Sequence, residues 1–510
     1  MDSSKIKLII IGALATFAAL YLGITAATAQ IETLAWVGGG CTLVTCLLLG
    51  RKIWMLLPLL GGLQLSFAVM GQPSTLLIGQ FLFCGFTVLL LLTRQLPFRL
   101  QFTEMEFWLL IVILAVVQVF ARNPVGLNIL GSSSVGAKPY AIFFITAFTG
   151  VFMSGYQFKS ADLKWIFRLS VIGGILNFFI MLFGTLVPTV GVYFKAASGA
   201  SEAAAATHDP EAAGRIPFLG TSGRNFALWV NSRLSPLATL VRPHWGFLLF
   251  IALLFAGLSG YRNHIAWVAL ICFFGLLYHG GFTHLVTSSI MGVLALTLLA
   301  LVNLTYPLPP NIQRALSFLP GTWESSIVQD AKNSTDWRVE IWKEVLLTDN
   351  WITNKYLGDG LGFSRKELNL QLSLMEAQRY GITTGFRSIS GFDLHRESIL
   401  ANGDYHSGPV QTVRTIGYIG LALMLFAMIR LAVHSHRLIL RYRGTEWQPL
   451  CLFVGLPLII NPIFFTFVFG TFQSQAVILC MGIGYIRMLE NNLPSNTTEA
   501  SATASAATAS

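Results

Sequence analysis

The sequence predicts an all-α polytopic membrane protein with about 12–14 transmembrane helices and one large, mostly helical loop outside the membrane. Of the 510 residues, 54% are apolar and only 11% are charged, whereas about a quarter of a typical soluble chain is charged. Apolar stretches long enough to cross a bilayer as helices recur from one end of the chain to the other. The short alternating segments of a membrane β-barrel are missing. The composition therefore excludes a disordered chain and argues against a soluble enzyme.

The formal net charge of +10 comes from 33 Lys and Arg against 23 Asp and Glu. In a soluble protein this excess would favour nucleic-acid binding, but here the basic residues flank apolar segments and indicate their orientation in the bilayer. The six cysteines all fall in apolar segments, and no two form a C-x-x-C pair. We therefore expect a lipid bilayer as partner, no nucleic acid, no structural disulfide and no cysteine-bound metal.

The first apolar segment runs from Lys5 to about Thr28. A basic start and small residues near its end are also typical of a signal peptide, but the apolar run is long for one, so we favour a retained helix. The next predicted spans lie near 33–50, 53–71, 75–93, 105–121, 140–156 and 165–188. Basic residues fall in alternate connections, at 51–52, 94–99 and 159–168. By the positive-inside rule, these connections and the N-terminus are cytoplasmic.

A polar loop is predicted near 190–225 on the outer side, followed by a weakly apolar crossing over 226–240. Further spans are predicted near 246–260, 264–280, 282–302, 413–433, 449–469 and 474–488. The chain then divides into helices up to residue 302, a large outer loop over 303–412, C-terminal spans over 413–490, and a disordered cytoplasmic tail over 491–510.

The segment 303–412 differs in composition from the rest of the chain. It contains 12 of the 23 acidic residues and four tryptophans, at positions 323, 337, 342 and 351. A long loop with aromatic residues and helical patterns is usually functional. We expect a folded unit outside the membrane.

Arg262 is the first candidate for chemistry. It follows the break Gly257-Leu-Ser-Gly-Tyr and precedes the span 264–280. A helix N-terminus attracts anions, and a guanidinium adds a planar fork that matches phosphate oxygens. The simpler interpretation is an arginine at the membrane boundary that reaches the lipid headgroups.

Arg338 is the second candidate, within Ser334-Thr-Asp-Trp-Arg338-Val-Glu-Ile-Trp342. Ser334 or Thr335 can cap a helix, which would place Arg338 in its first turn and Trp342 one turn later on the same face. The simpler interpretation is a surface ion pair with a neighbouring acid.

His406 is the third candidate, in Gly403-Asp-Tyr-His406-Ser-Gly-Pro409. Pro409 suits the first turn of the helix that enters the membrane, so His406 should lie at the membrane surface. Histidine is well suited to move a proton near neutral pH, although an interfacial histidine is more often a polar anchor.

Other chemistry has little support in the sequence. The span interiors are almost free of acidic residues, which argues against an ion-coupled transporter and a carboxylate-held metal. Gly358-Asp-Gly-Leu-Gly362 is a tight turn without the lysine of a P-loop. We therefore predict no metal and no cofactor.

In their order along the chain, these motifs resemble the O-antigen ligase and polymerase superfamily of bacterial inner-membrane glycosyltransferases. The motifs are Ser259-Gly-Tyr-Arg262, Arg338-x-x-x-Trp342, the glycine turn, Tyr405-His406-Ser407 with Gln411, and Gly417-x-x-Gly420. The resemblance covers roughly 215–433. The sequence departs from the family at Ser407, where asparagine is frequent, at Tyr261, where serine is usual, and at Asp359, inside the turn.

The resemblance implies a periplasmic active site in the inner membrane. The implied donor is a glycan on undecaprenyl diphosphate, and the implied acceptor is a hydroxyl of lipid A–core or of another glycan. Arg262 and Arg338 would bind the diphosphate, and His406 would activate the acceptor. Arg215 and Arg224 would contact the donor, whereas Trp342 and Tyr405 would stack on sugars. No cofactor is implied.

Three alternatives stay open from the sequence. A polymerase would use the same donor and transfer the glycan to another carrier-linked glycan. A lipid-linked oligosaccharide flippase would also need arginines for a diphosphate, but has little use for a folded outer unit. A membrane scaffold without catalytic activity would need none of the three candidate residues.

Overall fold

The computed structural model describes residues 40, 44–67, 73–125, 136–187, 194–196, 216–317, 319–361, 399–400, 403 and 405–494. The predicted first helix, most of the polar loop near 190–225 with Arg215, and nearly all of the tail lie outside these ranges. Within them, eight helices are long and apolar enough to cross a membrane. The chain is therefore an all-α polytopic membrane protein.

The first described span, Val44–Leu63, contains a 3-10 segment, Gly50–Met55, that continues into α1. In chain order the helices are α1 (Leu56–Leu63), α2 (Thr75–Leu92), α3 (Glu104–Arg122), α4 (Lys138–Gly155), α5 (Ser160–Leu186), α6 (Pro217–Arg233), α7 (Pro236–Leu240), α8 (Pro243–Leu258), α9 (Arg262–Thr305), α10 (Pro310–Leu316), α11 (Ser325–Leu347), α12 (Gly408–Arg441), α13 (Gln448–Phe467) and α14 (Phe472–Asn492). Two short strands, β1 (Leu65–Phe67) and β2 (Phe194–Ala196), pair antiparallel with Leu65 opposite Ala196.

Several helices begin at residues that suit a helix N-terminus, either a capping side chain or a proline in the first turn. Ser74 accepts a hydrogen bond from the backbone N–H of Leu77 at the start of α2, and Thr103 forms a capping box with Glu106 at the start of α3. Proline occupies the first turn of α6, α8 and α12, where its missing N–H is not needed.

Two long helices are interrupted at glycine. Gly281 in α9 has φ 72°, and Gly417 in α12 has φ 75°; a residue with a Cβ rarely adopts this backbone conformation. The break at Gly281 separates two helices, in agreement with the predicted spans 264–280 and 282–302. The second of these exposes large apolar side chains, among them Phe282 at 72%, Ile290 at 58% and Leu298 at 62%, as expected of a surface in contact with lipid.

The predicted division between the spans near 33–50 and 53–71 agrees with the structure, because Gly50 has φ 50° and the basic residues at 51–52 lie in the 3-10 segment Gly50–Met55. The second span is shorter than predicted. The helix ends at Leu63 because Gln64 adopts a left-handed conformation, and the chain continues as β1. Apolar content alone does not distinguish a helix from a short strand.

The predicted crossing over 226–240 is also displaced. Helix α6 begins at Pro217 and ends at Arg233, so residues 217–225 are helical and not part of a loop. Gly223 packs so closely on α8 that a Cβ there would lie 2.6 Å from the carbonyl oxygen of Ala252. Close packing by glycine lets this helix enter the bundle although its composition is weakly apolar.

One end of the bundle gathers the basic connections, and we call it the ionic end. Lys52 pairs with Asp162 at 2.9 Å, and Lys164 pairs with Glu446 at 2.8 Å. The backbone N–H of Arg99 donates to the carbonyl oxygen of Gly155 at 2.8 Å. The alternate connections identified in the sequence thus meet on one side.

The opposite end, which we call the loop end, carries the unit formed by α11 and the segment 348–361. There Arg122, at the end of α3, donates to the carbonyl oxygens of Leu357 at 2.9 Å and Gly358 at 2.8 Å. Helix α3 joins the two ends, because Arg122 lies at this end and Glu104 accepts from Arg430 at the other, about 27 Å away at 1.5 Å per residue. The helices thus span the thickness of a bilayer.

At the ionic end, a buried network joins α3, α12 and α14. The side chains of Arg487 and Glu106 are only 8% and 4% exposed, and Arg487 Nε lies 3.0 Å from a Glu106 oxygen. Arg487 also contacts Glu490 at 2.7 Å. Arg430 donates to Glu104, and His434 lies 3.4 Å from Glu104 and 3.3 Å from Glu490.

We predict that Arg487→Met lowers the free energy of unfolding by about 3–5 kcal/mol, because it leaves the buried Glu106 carboxylate without its cation. Urea unfolding in detergent micelles measures the change. The control is Lys52→Met, which breaks an ion pair in which the lysine side chain is 52% exposed and should cost less than about 1 kcal/mol. An equal loss of unfolding free energy in the two variants would contradict a buried ion pair between Arg487 and Glu106.

Candidate functional site at the loop end

His406 lies directly before α12. Its backbone φ is 50°, a left-handed conformation that is uncommon for residues other than glycine. The next residue, Ser407, caps α12 by accepting a hydrogen bond from the N–H of Val410. His406 is thereby fixed at the point where the chain enters the bundle, as the position of Pro409 predicts.

Two aromatic rings flank the imidazole of His406. The ring centroid of Trp337 lies 5.7 Å away with the planes at 89°, and that of Phe469 lies 6.1 Å away with the planes at 33°. Trp337 belongs to α11, and Phe469 follows α13. The imidazole therefore lies where the unit of α11 and the segment 348–361 meets the bundle.

Helix α11 starts earlier than the sequence analysis predicts. It begins at Ser325, so Ser334 and Thr335 lie within the helix and do not cap it. Arg338 is accordingly near the middle of the helix and not in its first turn. Residues such as Ala331 and Lys332 favour helix, so the chain continues through the two residues that could have started a new one.

Helix α11 is anchored to the segment before α12. The indole N–H of Trp342 donates to the carbonyl oxygen of Tyr405 at 2.7 Å. Tyr405 itself is 0% exposed and packs with Ile341, Val345 and Val413. The predicted stacking of Tyr405 on a sugar does not fit a buried ring, and the Trp342 indole N–H serves as an anchor.

Arg338 and His406 meet through a shared neighbour. The guanidinium carbon of Arg338 lies 5.8 Å from the ring centroid of Trp337, the same ring that contacts His406. Trp337 and Arg338 are neighbours in sequence, so the contact of His406 with Trp337 places the imidazole beside the residue that precedes Arg338.

Arg262 begins α9, at the turn that follows α8. Gly260 in this turn has φ 74°, and the Ser259 hydroxyl accepts from the N–H of Tyr261 at 3.3 Å. The carbonyl oxygen of Ser259 accepts from the N–H of Ile216 at 3.2 Å. The start of α9 is therefore tied to the start of α6.

Arg224, on α6, faces α9. Its guanidinium carbon lies 5.6 Å from the ring centroid of Trp267, and its positive charge lies near His264. Gly220 makes room for that histidine, because a Cβ there would lie 2.1 Å from the His264 ring. No acidic side chain pairs with Arg224 among the residues that the structure describes.

The two groups of residues share the end of α13. Trp267 contacts Phe464, in the last turn of α13, with ring centroids 4.8 Å apart. Phe469, five residues later, contacts His406. The structure thus brings Arg224 and the start of α9, with Arg262, to the same end of the bundle as Arg338 and His406.

The glycine turn seats the outer unit on the break in α12. The N–H of Asp359 donates to the carbonyl oxygen of Arg414 at 2.7 Å, and the N–H of Tyr418 donates to the carbonyl oxygen of Lys355 at 2.8 Å. The Asp359 carboxylate accepts from the N–H groups of Thr353 at 2.7 Å and Asn354 at 2.9 Å. Asp359 therefore has a structural role in this turn.

Several buried polar residues lie at the loop end, and of these only Gln411 belongs to the motifs identified in the sequence. Buried side-chain atoms without a hydrogen-bond partner include Nδ1 of His264 and the amide oxygens of Asn263, Gln411 and Gln475, among the described residues. Such atoms are costly to bury, so a ligand or water at this end would satisfy them. One feature of the sequence points to His264, its place two residues after Arg262.

We predict that Gly220→Ala lowers the free energy of unfolding by about 1–3 kcal/mol, because the new methyl group overlaps the His264 ring. The matched control is Gly85→Ala in α2, where a Cβ meets nothing within 4 Å and alanine should be neutral or stabilising. Thermal unfolding in micelles measures both. A neutral Gly220→Ala would show that His264 does not occupy this position.

Within the described ranges, no three His, Cys, Asp or Glu side chains cluster so that they could hold a metal ion. The cysteines at 46, 84, 272, 451 and 480 are free thiols. No protein-family model and no curated protein matches the chain.

Proposed function

We propose that the protein is a glycosyltransferase of the O-antigen ligase type. It transfers a glycan from undecaprenyl diphosphate to an acceptor hydroxyl at the loop end, which faces the periplasm. The observation that carries the proposal is the contact of His406 with Trp337, the neighbour of Arg338 on α11, at one end of an apolar helix bundle. A cation and a proton acceptor at a membrane surface suit a reaction in which a lipid diphosphate departs.

The donor is an amphiphile, and both of its parts have a counterpart in the protein. Its polyprenyl chain stays in the bilayer beside exposed apolar helix faces such as that of α9. Its diphosphate lies at the surface, where guanidinium groups bind phosphate oxygens in planar pairs. Arg224 suits this role because it has no acidic partner among the described side chains, and Arg262 lies at the N-terminal end of α9.

The reaction breaks the bond between the anomeric carbon and the diphosphate oxygen, and forms a bond from that carbon to the acceptor oxygen. His406 takes the proton of the acceptor hydroxyl. Negative charge grows on the departing diphosphate, and Arg338 stabilises it in the transition state. The products are the extended acceptor and undecaprenyl diphosphate.

A ligase and a polymerase share this chemistry and differ in the acceptor. We favour the ligase, which transfers to lipid A–core or a similar anchor, because the resemblance includes a single large outer loop. Gel analysis of surface glycan from a deletion strain distinguishes them. The proposal predicts loss of anchored long chains with accumulation of carrier-linked polymer, whereas accumulation of single repeat units would identify a polymerase. An unchanged glycan profile would contradict both.

A further inference from the structure

Trp337 differs from the other tryptophans of the segment 303–412, all of which the structure describes. Trp323 donates to the carbonyl oxygen of Leu319 at 2.8 Å, Trp342 to that of Tyr405 at 2.7 Å, and Trp351 to the carboxylate of Glu344 at 2.9 Å. These three indoles serve as anchors within the fold. No hydrogen bond from the Trp337 indole is found among the residues that the structure describes.

The ring contacts of Trp337 are with the two groups that the proposed reaction uses. The His406 imidazole stands perpendicular to it at 5.7 Å, and the Arg338 guanidinium lies at 5.8 Å. The ring is half-buried and packs at the edge of the cluster that contains Ile341 and Tyr405. The Trp337 ring therefore packs against this cluster on one side and contacts His406 on the other.

We propose that Trp337 is a positioning residue for glycan transfer. The rotation of an imidazole about its second side-chain torsion is otherwise broad, and the perpendicular indole restricts it to one orientation. The inference rests on the proposed function, since it assigns Trp337 a role through His406.

The position of His406 makes such a restraint useful. The residue precedes a helix in a left-handed backbone conformation, and its side chain projects from the chain between two helices and not from one of them. Phe469 covers it at 6.1 Å, on a segment separate from α11. Trp337 thus connects the imidazole to the helix that carries Arg338.

The test compares Trp337→Leu, Trp337→Phe and wild type in a purified transfer assay in vesicles, with a synthetic polyprenyl-diphosphate glycan as donor. We expect Trp337→Leu to lower kcat about tenfold with the donor KM changed less than about threefold, because Arg224 and Arg262 still bind the diphosphate. Trp337→Phe keeps an aromatic face and should restore kcat to within about threefold of wild type. A raised KM with unchanged kcat would overturn the proposal.

Two further variants separate positioning from general stability. Trp323→Leu removes an anchoring tryptophan of the same unit, and a loss of kcat as large as that of Trp337→Leu would show that loosening the unit is sufficient. In a His406→Asn background, Trp337→Leu should cause no additional loss of residual rate, because there is no imidazole left to orient. A full additional tenfold loss would contradict action through His406.

Failure of this inference is distinguishable from failure of the proposed function. If His406→Asn and Arg338→Ala both transfer glycan at the wild-type rate, the proposed function is wrong. If they abolish transfer and Trp337→Leu does not differ from wild type, only the role of Trp337 is wrong.

Discussion

Replacing His406 by asparagine should reduce the rate of glycan transfer by about 10²–10⁴-fold, the usual contribution of a general base. The imidazole is the proton acceptor in the proposed reaction, and it stands between Trp337 and Phe469 at the start of α12. An amide can donate and accept hydrogen bonds, but it does not take up a proton near neutral pH. Single-turnover transfer from a synthetic donor in vesicles measures the loss.

Asparagine is the informative substitution because of the backbone. His406 has φ 50°, a conformation that asparagine tolerates but that costs alanine about 1 kcal/mol or more. His406→Asn should therefore keep the wild-type unfolding temperature and donor binding. A transfer rate within about threefold of wild type would exclude His406 as the base.

Arg338→Ala should lower transfer by about 10²–10³-fold, the effect of removing one preorganised group that stabilises charge in a transition state. Arg338 lies in the middle of α11, where alanine favours the helix, so the unit should stay folded. Arg338→Lys keeps the charge but loses the planar fork, and it should recover only part of the rate.

The matched control is Lys343→Ala, which removes an exposed cation from the same helix. It should leave transfer unchanged. If Lys343→Ala and Arg338→Ala lower the rate equally, the helix contributes only its overall positive charge, and the assignment of Arg338 to the leaving group is wrong.

Much of the architecture could be predicted because apolar runs and basic connections report directly on the membrane. The basic connections at 51–52, 94–99 and 159–168 do meet at one end, and the break at Gly281 falls between two predicted spans. Helix α6 could not be placed, because glycines at 220 and 223 compensate for its polar composition through close packing. That compensation depends on neighbours distant in sequence.

The sequence singles out the ionisable residues of the candidate site but not the residues that surround them. Arg262, Arg338 and His406 stand out as polar groups near span boundaries. The role of Trp337 depends on a contact between positions 69 residues apart, and the burial of Tyr405 depends on the docking of α11. No local sequence pattern indicates the contact of Trp337 or the burial of Tyr405, because both depend on tertiary packing.

The most direct test of the central claim is a stoichiometry measured with purified protein in phospholipid vesicles. The assay supplies a polyprenyl-diphosphate glycan and an acceptor, and counts new glycosidic bonds and released polyprenyl diphosphate. We predict one carrier diphosphate released for each bond formed, and neither product with His406→Asn. Movement of the intact donor across the bilayer without bond formation would contradict the account and identify a transporter.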